Sequence, residues 1–226
     1  GIFEGVFLDG YPRKGLYTWD TGEKYKGEFN NKFEKHGKGI FWREDGRLLY
    51  DGSWNKNKWD GQGTIYYYEK NGAGDGKYTG SFKNNMEHGS GTIFNSDGKI
   101  SYKGDVAKRN LQGYGIFYVY DEGKKTAEHE GLFKDNKPNG WGTLTFVNSK
   151  KWQGEWKDGE LHGYAVFFDS IGNKIEEGEY ENGEMVKDYF AQKKIIDEEN
   201  RLAQEKRDEE NRLAQEKRRD EEYRLA

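Results

Sequence analysis

A five-residue pattern returns along most of this chain, and its recurrence constrains the fold more than any other feature. It reads aromatic, any residue, glycine, polar residue, aromatic. Clear copies are Tyr25-Lys26-Gly27-Glu28-Phe29, Tyr50-Asp51-Gly52-Ser53-Trp54, Tyr78-Thr79-Gly80-Ser81-Phe82 and Trp152-Gln153-Gly154-Glu155-Trp156. Weaker copies begin at Phe3, Tyr102, His129 and Glu176. The phase glycines are Gly5, Gly27, Gly52, Gly80, Gly104, Gly131, Gly154 and Gly178, separated by 22, 25, 28, 24, 27, 23 and 24 residues. A near-constant period of this size is the signature of a repeat architecture.

A second motif follows each first one: Gly-x-Gly, then a short apolar run. Copies are Gly37-Lys38-Gly39-Ile40-Phe41-Trp42, Gly61-Gln62-Gly63-Thr64-Ile65-Tyr66, Gly89-Ser90-Gly91-Thr92-Ile93-Phe94, Gly113-Tyr114-Gly115-Ile116-Phe117-Tyr118 and Gly140-Trp141-Gly142-Thr143-Leu144. Polar turns such as Asn30-Asn31-Lys32, Asn84-Asn85 and Lys157-Asp158-Gly159 separate the halves, and Asp45-Gly46, Asp97-Gly98 and Ile171-Gly172-Asn173 follow them. Such residues carry the backbone through positive φ, as hairpin turns require. Two aromatic or β-branched runs bounded by turns make an antiparallel hairpin. The spacing therefore predicts one hairpin per repeat, with strands of about five residues. The insertion over 69–77, with its Gly72-x-Gly74-x-Gly76 run, is expected to be a longer loop at a sheet rim. It lacks the strand-loop-helix context of a phosphate site.

An isolated hairpin is marginal in water, so the hairpins must pair with one another. Alternate strand residues share a face, which aligns Tyr25, Gly27 and Phe29. The fold class expected is all-β: an elongated single-layer antiparallel sheet of tandem β-hairpins over 1–186, followed by a long α-helix over 187–226. A one-layer sheet cannot cover both faces. The aromatic ladder is thus expected to hold the hairpins together and also to offer a groove for a partner peptide or helix, lined by Tyr25, Phe29, Tyr50, Trp54, Tyr78, Phe82, Tyr102, Phe133, Trp152 and Trp156. Composition matters here because 32% hydrophobic and 35% charged residues would otherwise suggest disorder. Aromatics at 16%, with 32 glycines and 2 prolines, point instead to short strands and tight turns.

The segment Trp152-Gln153-Gly154-Glu155-Trp156-Lys157-Asp158-Gly159-Glu160-Leu161-His162-Gly163, with Tyr25–Gly39 and Tyr78–Gly91 close behind, resembles the MORN (membrane occupation and recognition nexus) repeat. The resemblance extends over roughly residues 3–186. It implies a curved ribbon of hairpins, a binding or scaffolding role, and partners that are proteins or phosphoinositides. Some relatives sit beside kinase or methyltransferase domains. Val106, His129, Ala165 and Glu176 depart from the pattern and mark irregular or capping repeats.

After Gly183 glycine stops, and Asp197–Arg207 is repeated as Asp208–Arg218 and partly again from Asp220. The unit is rich in helix formers. It places opposite charges four apart at Asp197–Arg201, Arg201–Glu205, Asp208–Arg212 and Asp220–Arg224. One Leu-Ala pair per eleven residues is too sparse for a strong coiled coil. Two readings stand: a solvated spacer, or a helix that docks on a partner or self-associates. Tyr189, Phe190, Ile195 and Ile196 are expected to cap the last sheet edge.

No catalytic constellation emerges. His36, His88 and His162 share one repeat phase, and no Cys joins them as a zinc ligand. No acidic pair stands out as a general acid and base. The expectation is no enzyme activity, no metal and no cofactor. The net charge of -4 excludes a global attraction to nucleic acid. The leading function is a protein-binding scaffold or adaptor. The alternatives are a membrane-surface adaptor binding acidic phospholipids through local basic sites such as Lys124-Lys125 or Lys150-Lys151, and the accessory repeat region of a larger enzyme. Homodimerisation through the repeat end or helix is a further expectation. The expected location is cytoplasmic, with cytoskeletal or membrane association. No apolar stretch approaches the roughly 20 residues that span a bilayer.

Overall fold

The chain is described by a computed structural model over residues 1–68 and 74–225. Strands follow one another as hairpins. The first four pairs are β1 (Ile2–Leu8) with β2 (Tyr11–Thr18), β3 (Lys24–Phe29) with β4 (Lys35–Trp42), β5 (Leu48–Asn55) with β6 (Lys58–Tyr68), and β7 (Gly74–Lys83) with β8 (Met86–Phe94). The next four are β9 (Ile100–Ala107) with β10 (Asn110–Asp121), β11 (Lys124–Lys134) with β12 (Lys137–Phe146), β13 (Lys151–Lys157) with β14 (Glu160–Phe168), and β15 (Lys174–Glu181) with β16 (Glu184–Asp188). They form one antiparallel 16-stranded sheet in strict sequence order, and α1 (Tyr189–Leu225) follows. Strands run from 5 to 12 residues, longer than expected, because pairing extends past each motif into the flanking residues. The loop expected over 69–77 is shorter at its far end, since β7 already includes Gly74 and Gly76. Gly72 and the remainder of that insertion lie outside the described residues.

One row of pairings sets the register. Gly5 faces Gly15, Gly15 faces Gly27, and the row continues glycine to glycine through Gly142 and Gly154. Ala165, Gly178 and Asp188 complete it. The other glycine of each Gly-x-Gly has a different role. Gly37, Gly61, Gly89, Gly113 and Gly140 have φ between +63° and +105°. They lie beside register shifts where the strand gains two residues, a bulge that glycine accommodates. The turns inside hairpins place two consecutive residues at positive φ, for example Lys56-Asn57, Asn84-Asn85 and Asp135-Asn136. This is the twist-matched two-residue hairpin turn.

These turns also join neighbouring repeats. Asn57 donates its backbone N–H to the Lys35 carbonyl and accepts the Lys35 N–H on Oδ1, at 3.0 and 2.8 Å. Asn85 clasps Trp59 in the same way, and Asn136 clasps Leu111. Each turn is thus hydrogen-bonded to the strand of the preceding hairpin.

The helix starts at Tyr189, two residues later than expected, because Asp188 Oδ1 caps the Ala191 N–H at 2.8 Å. Its first turn lies beside β15, where the Tyr189 hydroxyl donates to Glu179. Ile195 and Ile196 are 59% and 54% exposed and do not cover the sheet edge, correcting that expectation. The helix leaves the sheet after Tyr189 and Phe190, which are half-buried. Arg201 pairs with Glu205 as the spacing predicts, but with Glu198 rather than Asp197, and Arg212 pairs with Glu209 rather than Asp208. The longer glutamate side chain reaches arginine across three residues. Asp220–Arg224 falls among side chains outside the described set. No described helix is long and apolar enough to cross a membrane.

Candidate binding surface

The tyrosine of each clear repeat lies over the glycine row. Tyr25 is fully buried, and a β-carbon added at Gly39 would meet its ring and hydroxyl at 2.3 to 2.5 Å. Gly63, Gly91 and Gly115 hold Tyr50, Tyr78 and Tyr102 equally closely. Absence of a side chain on one strand is what makes room for the ring on its neighbour. Each hydroxyl donates to a backbone carbonyl three residues on: Tyr25 to Glu28, Tyr50 to Ser53, Tyr78 to Ser81 and Tyr102 to Asp105, at 2.9 to 3.1 Å. Burial pushes all four hydroxyls well above the usual tyrosine pKa. Tyr50→Phe leaves the Ser53 carbonyl without its partner. It should cost about 1–2 kcal/mol, seen as a lower urea midpoint with unchanged slope.

The second aromatic of the motif packs edge-on against the first. Tyr25–Phe29, Tyr50–Trp54 and Tyr78–Phe82 have ring centres 5.0 to 5.3 Å apart. Trp54 Nε1 also donates to the Gly39 carbonyl at 2.8 Å. This arrangement corrects the expected groove. Tyr25, Phe29, Tyr50, Trp54, Tyr78, Phe82, Tyr102 and Phe133 belong to one buried cluster, and Trp156 to a second. Trp152 is half-buried against that second cluster. Nine of the ten rings named as groove residues are therefore interior, and a partner could not touch them without unpacking the array. The four tyrosine rings lie against the glycine row, and Phe29, Trp54 and Phe82 stand edge-on to the tyrosines of their own motifs.

The surface above them is built from the adjoining strands. Trp19, Phe41, Trp59 and Tyr67 are half-buried and packed on the cluster, while Phe117 is 38% exposed and Phe167 half-buried farther along. Phe41 faces Tyr25 and Tyr50 in register, and Phe117 faces Tyr102 and His129. Phe41 and Phe117 come from the apolar run after Gly-x-Gly, whereas Trp59 precedes its Gly-x-Gly.

A second row escaped the sequence reading. The residue two before the first glycine of Gly-x-Gly is Lys35, Trp59, Glu87, Leu111, Pro138 or Leu161 in successive hairpins. Trp59 stacks on Tyr50 at 4.9 Å. Lys35 Nζ sits 4.6 to 5.1 Å from the ring centres of Phe41, Trp54 and Trp19, and burial pulls its pKa down. Glu87 is 2% exposed, accepts the Tyr67 hydroxyl at 2.6 Å and pairs with Arg109 at 3.3 Å. Variation of residue type at a fixed phase was the available signal.

The opposite face is polar over β6–β9 and carries the exposed Tyr114, Leu132 and Trp141 farther along. Thr64 pairs with Thr79, Gln62 with Ser81, and Ser90 with Asp105 across strands. A shallow groove of about 590 Å³ crosses this face between Gln62 and Ile116. His36 and His88 are exposed and His162 half-buried, and no cluster of three potential metal ligands occurs among the described residues.

A family model described as the MORN repeat matches residues 25–46, 50–71, 78–99, 129–151 and 152–174. The chain is 30% identical over 152 residues to rat (Rattus norvegicus) Alsin and 29% identical to human (Homo sapiens) Alsin, covering 63% of this chain and 9% of each relative. It is 32% identical over 78 residues to MORN repeat-containing protein 3 of Xenopus laevis, covering 34% of this chain and 32% of that protein. The chain thus spans under a tenth of Alsin and about a third of the frog protein.

Proposed function

The chain is a MORN repeat protein, and from that premise we propose that it is a non-enzymatic scaffold that holds an extended peptide or amphipathic helix of a partner protein on its aromatic face. The observation that carries this reading is the row of half-exposed rings, Trp19, Phe41, Tyr67 and Phe117, supported from beneath by the buried tyrosine cluster. Rings fixed before binding lose little conformational freedom on contact, and aromatic anchors dominate interface energetics. Over β6–β9 the opposite face offers hydroxyl and carboxylate groups that already bond to one another, a weaker basis for capture. The long exposed helix would then set a distance between this surface and whatever is joined beyond it.

A peptide library panned against the 226-residue chain tests the reading, with affinities of selected peptides measured by calorimetry. The double variant Phe41→Ser, Tyr67→Ser should weaken them at least about tenfold, equivalent to 1.4 kcal/mol. Unchanged affinity would reject this face. Failure to select any peptide, together with pelleting on phosphoinositide vesicles at physiological salt, would transfer the function to membrane binding.

A further inference from the structure

Lys35 is held against the rings of the first repeats. Its Nζ lies 4.6 Å from the ring centre of Phe41, 4.8 Å from that of Trp54, 5.1 Å from Trp19 and 5.9 Å from Tyr25. Contacts between an ammonium and aromatic faces are attractive, but they supply no counter-charge. Among the described residues, no carboxylate oxygen lies within 4.0 Å of Lys35 Nζ. Nor does any of them accept a hydrogen bond from it. Glu23 acts on it only at longer range. Glu87, the charged residue at the same phase of a later hairpin, is by contrast matched by Arg109 at 3.3 Å.

Tyr25 and Trp54 are buried, whereas Trp19 and Phe41 are half-buried. Trp19 and Phe41 are also two of the four rings on which peptide capture rests. A segment lying on them covers the ammonium beside them and removes its remaining water. Burying a charge under apolar contact without a counter-charge opposes binding. A neutral carbonyl oxygen would satisfy one N–H and leave the charge unanswered. A carboxylate does both, through a charge-assisted hydrogen bond. Contacts between apolar groups and rings can form in many alignments, while one fixed charge selects among them.

We infer that the segment held on the aromatic face carries an aspartate or glutamate among apolar residues, and that its carboxylate meets Lys35 Nζ beside Trp19 and Phe41. The inference rests on peptide capture by this face and adds the chemistry of the captured segment. Lys35 is then the residue that sets the register. It belongs to the first repeats, and Tyr67 and Phe117 lie farther along the strand order on β6 and β10. The acidic residue accordingly falls near one end of the bound segment, with its apolar neighbours over the later rings. A lipid surface suits the site less well. Its phosphates lie in a plane of headgroups, whereas the half-buried Lys35 is set among rings, where a peptide side chain can reach it.

Two amidated peptide libraries built on the same apolar residues test this, one with Asp and Glu at the polar positions and the other with Asn and Gln. Amidation removes the C-terminal carboxylate as a competing source. Panned against the 226-residue chain, the acidic library should supply the binders. Calorimetry then closes a double-mutant cycle. Changing a binder's acidic residue to its amide should weaken it at least about tenfold on the native chain and less than about twofold on Lys35→Met. Methionine keeps an apolar stem among the rings and loses the charge. Lys35→Arg should keep the preference for the acidic peptide. Neutral peptides that bind as tightly as acidic ones, and lose affinity on Phe41→Ser, Tyr67→Ser, would overturn the inference and leave capture by this face standing. An acidic preference that persists in Lys35→Met would also overturn it, as would pelleting on phosphoinositide vesicles that Lys35→Met abolishes. No binder from either library would overturn it together with peptide capture.

Discussion

Replacing Gly91 by alanine should destabilise the array by about 3 kcal/mol, although the change adds a single carbon. That carbon would stand 2.2 to 2.5 Å from Cε2, Cζ and the hydroxyl of Tyr78. Tyr78 is 1% exposed and packed against Phe82, so the ring has no free space to enter. Either it leaves its slot, with the loss expected for emptying a buried aromatic site, or β8 moves off β7. Gly98 provides the comparison. Its φ is +75° and no atom lies within 4 Å of an added β-carbon, so Gly98→Ala should cost only about 1 kcal/mol of backbone strain. Adding Tyr78→Ala to Gly91→Ala should cost much less than the sum of the two changes, because both empty the same slot. Chemical denaturation of the four variants checks this, and equal losses for Gly91→Ala and Gly98→Ala would refute the slot.

Acid should weaken the protein at a specific joint. His129 occupies the tyrosine phase of its repeat, 4% exposed, between Phe133 and Trp156 and over Gly142. Neither ring nitrogen has a hydrogen-bond partner. Burial depresses its pKa from 6.5 to about 4. In the unfolded chain the ring takes up a proton near pH 6.5, whereas the folded ring resists until about pH 4. The unfolded state therefore binds more protons in this window, and stability falls as pH falls through it. The stabilisation is complete above pH 6.5 and its loss approaches about 2–3 kcal/mol by pH 4. Carboxylates contribute to any acid transition, so the decisive quantity is the difference between the native chain and His129→Tyr. The tyrosine should restore the hydroxyl-to-carbonyl bond made by its counterparts, here toward Leu132, and flatten the melting temperature between pH 7 and 4. Parallel curves for the two proteins would place the acid sensitivity elsewhere.

Hairpins, their order and the shared face of Tyr25, Gly27 and Phe29 were legible because period, turn chemistry and alternation all agree along the chain. The orientation of the rings was not. Alternation assigns Tyr25 to a face but does not say that it lies down over Gly39, a residue 14 positions away on the next strand. That choice decides whether the motif aromatics form a surface or an interior. It also moves the accessible rings to Trp19, Phe41 and Tyr67, whose run looked like ordinary strand filling. Lys35 and Glu87 stayed hidden for a related reason: a charged residue two places before a glycine looks like part of a turn until the bulge rotates it onto the aromatic face. For the helix, composition specified its existence, but whether Ile195 and Ile196 meet the sheet depends on its direction of departure, which residue type does not encode.

The asparagine clasps have a mechanical consequence. With β1 and α1 at opposite ends of the strand order, tension applied through the chain termini pulls across the ladder rather than along it. Bonds then fail a few at a time, and the clasp from the next turn arrests the opening before another hairpin releases. Each release adds about 80 Å of extended chain for some 24 residues. Such a ribbon would lengthen in discrete steps under modest force and rewind when slack, limiting the load passed between whatever is fastened to its ends.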